Sequence, residues 1–119
     1  MTREDIINKA KEINLVLKLS DEYLAYQKAA KEIEEHAAAG IMLNDFRKKQ
    51  MEIQRKALEG EDVEAYLGEL RKLWDVVSMN PYVRNVIEAE LAFGQLYSEV
   101  MQEVVRDIDL LASEKPQEN

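Results

Sequence analysis

The sequence predicts an all-α fold: about five helices in an antiparallel bundle, with a long C-terminal helix used in oligomerisation. Three observations predict it. Only four Gly and two Pro occur among 119 residues, which leaves few places for tight turns or hairpins. Apolar residues recur at spacings of 3 and 4, the rhythm of one helix face. Between those runs stand residues that cap helices.

The first helix opens at Thr2, with Asp5 placed as a capping-box acid and Ile6, Ala10, Ile13 and Leu17 along one face. Ser20 caps the second, and Asp21 and Glu22 sit at the positive end of its dipole. Tyr23, Tyr26, Ala30, Ile33 and Ala37 carry its apolar face as far as a stop at Gly40. A third helix, capped by Asn44 or starting slightly earlier, aligns Leu43, Phe46, Gln50, Ile53 and Ala57 and closes at Gly60. The fourth is capped near Asp62 and aligns Val63, Tyr66, Leu70, Leu73 and Val77.

Asn80-Pro81 is the sharpest boundary, because Asn caps and Pro is pre-set for the first helical position. From there the pattern predicts one helix over 81–112, about 48 Å long. Two apolar lines run along it. One is Val86, Phe93, Tyr97, Val100, Val104 and Leu111; the other is Val83, Ile87, Leu91, Met101, Val105 and Ile108. Together they are too wide for one partner helix, so a second chain is expected to cover part of them. Residues 1–112 read as a single helical domain and 113–119 as a disordered polar tail.

Composition narrows the function. The absence of cysteine excludes a disulfide framework, a thiolate metal site and a Cys nucleophile. The net charge is −8, which argues against nucleic acid and anionic lipid unless the bases gather in one patch. The longest run without a charged or polar residue, Ala37 to Leu43, is far short of a membrane span. With no secretory signal at Met1-Thr2-Arg3, the sequence reads as that of a soluble cytoplasmic protein.

His36 is the single histidine, so a di-metal carboxylate site and a serine triad both lack their ligands or bases. No catalytic residue, metal or cofactor is expected. Glu90 interrupts an apolar line, which marks it as a buried polar candidate in need of a cation, a hydroxyl or a helix N-terminus. Arg47, Lys48, Arg55 and Lys56 form, with Lys49, the basic cluster of the third helix and a candidate partner surface. Glu52 and Glu59 interrupt it, and no aromatic platform accompanies it. Trp74 and Tyr82 stand beside the helix break as candidate interface anchors. The candidate oligomer interface is Val86, Phe93, Tyr97, Val100, Met101, Val104 and Ile108.

Five features in order give the chain a family resemblance. Ser20-Asp21-Glu22-Tyr23 leads an Ala/Glu-rich helix, Phe46 is followed by Gln50 and Gln54, and Gly60 makes a turn. Asn80-Pro81 then leads into Ile87-Glu88-Ala89-Glu90, and an apolar run spans Leu96 to Ile108. Over residues 3–112 the chain resembles the YlbF/YmcA family, and within it the short, cysteine-free YheA-like members. The resemblance implies an all-helical, oligomeric, non-enzymatic regulatory or scaffold protein of Gram-positive bacteria. It also implies partners: further copies of itself, related helical regulators, or an RNA-processing nuclease. Characterised relatives act in a cytoplasmic complex that modulates ribonuclease Y and so affects RNA processing, competence and biofilm formation. Some carry a Cys-rich tail connected with iron–sulfur clusters; this chain has no Cys, so that chemistry is out of reach. The alternatives are an RNA-contacting accessory protein using the third-helix bases, or a family member with no assigned function.

Overall fold

A computed structural model describes residues 1–109. It contains five helices: α1 (Arg3–Lys18), α2 (Asp21–Ile33), α3 (Ala37–Leu58), α4 (Glu64–Val77) and α5 (Pro81–Val105). No strand occurs among the described residues.

Side-chain caps fix most of the starts. Thr2 and Asp5 exchange hydrogen bonds of 3.1 Å with each other's backbone N–H, a complete capping box. Ser20 Oγ accepts from the N–H of Tyr23. Asn80 Oδ1 accepts from the N–H groups of Tyr82 and Val83, with Pro81 at the first helical position. The cap of α4 is Val63, one residue beyond the expected Asp62, whose Oδ1 accepts from the N–H of Glu64. Before α4 the chain reverses at Gly60, whose φ of 84° is costly for any residue with a Cβ.

Two boundaries differ from expectation. α2 stops at Ile33 rather than running to Gly40, and Gly40 lies in the first turn of α3. His36 makes the break with φ −131° and ψ 86°, its ring stacked on Tyr82 at 3.7 Å. The earlier start of α3 brings Ala39, Leu43, Phe46 and Ile53 onto one buried line. At the other end, α5 stops at Val105, not at 112, so the helix is about 37 Å long. Arg106 turns extended (ψ 133°) and Asp107 enters the left-handed region (φ 62°). Val104 and Val105 are already exposed, so no packing repays a further turn, and Asp tolerates the left-handed conformation. The rest of that expectation, 110–112, and the predicted tail 113–119 lie outside the described residues.

The helices pair in antiparallel fashion. α2 runs along α5, with Tyr23 against Phe93 at one end (5.2 Å between ring centres) and His36 against Tyr82 at the other. α3 runs along α4, joined by Phe46 and Trp74 (5.5 Å), Lys49 and Glu69 (2.8 Å), and Lys56 over the Tyr66 ring (3.9 Å). The pairs meet where α3 crosses the first half of α5, at one core of Ala29, Ile33, Ala39, Leu43, Phe46, Val77, Val83, Val86 and Ile87. Val83 and Val86 are fully buried there, worth about 1.5–3 kcal/mol each.

This core occupies little of the molecule. The chain measures 51 × 41 × 18 Å with a radius of gyration of 18.8 Å, against about 13.5 Å for a compact chain of this length. Its accessible surface is 9569 Å², where about 6600 Å² is usual for a compact 13.8 kDa monomer. The helices form a flat layer whose far regions lack a second side.

Candidate interaction surface

The second half of α5 carries one uncovered apolar surface. Of the residues expected at an oligomer interface, Val86 is in the chain's own core. Phe93 is half-buried against Tyr23, and Val100, two turns further along, is half-buried as well. Tyr97, Met101, Val104 and Ile108 are exposed, and Leu91 and Val105 join them. Of the expected residues, the patch is therefore formed by Tyr97, Met101, Val104 and Ile108.

α1 supplies a second uncovered surface. None of its residues is buried, although Ile13 and Leu17 are partly covered where it lies against α2. Ile6, Ile7, Leu15 and Val16 are exposed. An isolated helix of 16 residues is marginal in water, so its capping box and its contact with α2 hold it against a shortage of packing. Its apolar rhythm was visible in the sequence; that its own chain leaves it open was not.

A third feature is a groove between α3, α4 and α5. Its floor is Phe46, Leu67, Leu70, Trp74, Ile87 and Leu91, with Gln50 and Arg71 on the rim and a volume of about 450 Å³. Gln50, Leu67 and Leu70 also line the adjoining hollow, which is bounded by Arg47 and Glu90. This groove is not legible in the sequence, because its residues come from three helices whose packing no local signal specifies.

Glu90 was expected to be a buried polar group. It is instead half-exposed and ion-paired with Arg47, its side chain and that of Arg47 each 37% accessible. Among the described residues no polar or charged residue is buried. The pair ties α3 to α5 across the groove and satisfies the carboxylate with a cation, as its place in an apolar line demanded.

The basic cluster does not converge into a free patch. Arg47 holds Glu90, Arg55 holds Glu59 at 3.0 Å, and Lys49 bridges Glu52 and Glu69. Lys49 is raised above its ordinary pKa chiefly by the hydrogen bond to Glu69, whose own pKa is lowered by the same bond. Lys56 lies over Tyr66, which raises its pKa as well. Of these five bases only Lys48 has no ion-pair or ring partner among the described residues. Trp74 and Tyr82, the expected anchors, are partly buried in intrachain packing.

No group of three His, Asp or Glu side chains converges to hold a metal among the described residues. What the arrangement offers is binding: broad apolar helix faces flanked by charge.

Comparison with known proteins places the chain in a family. Residues 6–109 match the family described as "Control of competence regulator ComK, YlbF/YmcA". A UPF0342 protein of Symbiobacterium thermophilum is 34% identical over 95 residues, covering 79% of this chain and 85% of that one. A UPF0342 protein of Caldicellulosiruptor bescii is 27% identical over 106 residues, 88% of this chain and 89% of its own. One from Staphylococcus saprophyticus is 24% identical over 106 residues, 88% and 93% of the two chains. No solved structure matches significantly.

Proposed function

The chain belongs to the YlbF/YmcA family, and from that membership we propose that it is a non-enzymatic regulatory or scaffold protein of the cytoplasm, acting through helix-mediated protein–protein contact. The family is one of competence-regulator-like and UPF0342 proteins, not of enzymes. Its first partner is a further copy of itself. The observation that carries this reading is the uncovered apolar surface of α5 and α1 on a chain with about 1.4 times the surface of a compact monomer. No described helix is long and apolar enough to cross a membrane, which leaves protein contact as the natural use of that surface.

The finer assignment is to ribonuclease Y-dependent RNA processing, with competence or biofilm control downstream. Its support is the family alone. It is tested by deleting the gene and mapping transcript ends: loss of ribonuclease Y-dependent cleavage supports the assignment, and an unchanged pattern removes it. The self-association is tested by light scattering at micromolar concentration. A multiple of 13.8 kDa is expected, and a monomer would overturn it.

Direct RNA contact through α3 is the weaker reading, since four of its five bases already have partners. Affinity for RNA at two salt concentrations separates the readings: a phosphate-contacting surface loses affinity steeply with salt. Absence of binding even at low salt is expected.

A further inference from the structure

Two helix faces of this chain are each covered along one half only. On α5, Val83, Ile87, Glu90, Tyr97, Met101 and Val104 fall at heptad spacing, the geometry of a helix-packing seam. The first three are held by the core and by Arg47 of α3. The last three stand open, Tyr97 at 51%, Met101 at 40% and Val104 at 46% exposure. On α1 the order is reversed: Ile13 and Leu17 are partly covered, and Ile6, Ile7 and Ala10 are exposed.

The open end of α5 is acidic, residues 99–109 carrying one base against four acids, whereas the open first half of α1, residues 3–10, is balanced at two bases and two acids, so no net like-charge repulsion opposes their contact. The excess surface also exceeds the roughly 800 Å² per partner that a standard interface buries.

We propose that the first half of α1 from one copy packs on the second half of α5 of a second copy, and reciprocally, so that two chains exchange their α1 arms. The proposal rests on the self-association proposed above and names the surfaces that meet. Ile6 and Ile7 then cover Tyr97 and Val104. Because a two-fold axis repeats the contact, one pair of complementary faces is used twice and the assembly closes as a dimer.

The chain has no cysteine, so single thiols report proximity without background. Ile7→Cys and Val104→Cys chains, carrying different tags, are mixed and oxidised. A disulfide-linked pair containing one of each is expected. Ile7→Cys mixed with Leu58→Cys, on an exposed residue at the end of α3, is expected to stay unlinked. In parallel, Tyr97→Asp is expected to raise the dimer dissociation constant at least tenfold with helical circular dichroism unchanged, since Tyr97 lies outside the core. An assembly that persists without the 7–104 link and tolerates Tyr97→Asp would overturn the arm exchange and leave self-association standing. A 13.8 kDa particle would overturn both. A link formed within one chain of an Ile7→Cys/Val104→Cys double variant would also overturn the exchange.

Discussion

From Pro81 to Glu90, α5 places Val83, Val86 and Ile87 in a core that α2 and α3 close over; from Leu91 to Val105 it holds Leu91, Tyr97, Met101 and Val104 in the open. Rhythm and residue types hardly change between the halves. What changes is the neighbours: α3 crosses the first half only. Periodicity therefore reports which face of a helix is built for burial, and it is silent on which chain does the burying.

That contrast is broken most severely from the covered side. Phe46→Ala, which empties the place packed on Trp74 beneath the first half, is expected to cost about 3–5 kcal/mol in urea unfolding. Ile87→Ala should cost about 2–5 kcal/mol. Met101→Ala, in the open half, should change the stability of the dilute chain by no more than about 0.5 kcal/mol. Equal losses at Ile87 and Met101 in dilute solution would erase the distinction between the halves.

Smaller effects sharpen it at the boundary. Arg47→Ala removes the cation that pairs with Glu90, the last seam residue α3 reaches. With both side chains half-exposed, about 0.2–1 kcal/mol is expected, read by the same unfolding experiment. Gly94 stands next, and a Cβ added there meets nothing within 4 Å. Gly94→Ala should stabilise the dilute chain by about 0.5–1 kcal/mol through helix propensity. A destabilised dilute chain would mean that some contact surrounds this position.

The smallest effect concerns α1. Asp5 is held below its ordinary pKa by hydrogen bonding to Thr2, first to its backbone N–H. A depressed carboxylate supports the helix fully above its unfolded value of 3.8 and loses that support as pH falls through its lower folded value. The amides of Thr2 and Asp5 should therefore lose protection below about pH 3.8 before the core melts, as followed by NMR. Protection that holds to lower pH than the core would contradict the role of this cap.

The sequence made the capped elements legible. Thr2 with Asp5, Ser20, Gly60 and Asn80-Pro81 each act through a local hydrogen bond or a local backbone preference, and the structure uses all of them. The boundary between α2 and α3 was not legible, because His36 makes it without a side-chain cap and the alanines and Gly40 after it fit either reading. The end of α5 was misplaced for a related reason: its apolar pattern continues past the point where packing stops. Glu90 could be recognised as an anomaly and Arg47 as part of a basic cluster, but their pairing depends on how α3 crosses α5. The open surface was foreseen in kind from the breadth of the α5 stripe, and only the fold shows that it begins after Glu90 and that α1 shares it.

The most direct test of the account is amide hydrogen exchange along α5 as a function of protein concentration. If a second copy covers the open half, amides from about Gln95 to Val105 exchange slowly at high concentration and lose protection on dilution, while those around Val86 and Ile87 stay protected throughout. Fast exchange over Gln95–Val105 at every concentration would contradict the account, because that half of α5 would then have no partner copy to cover it.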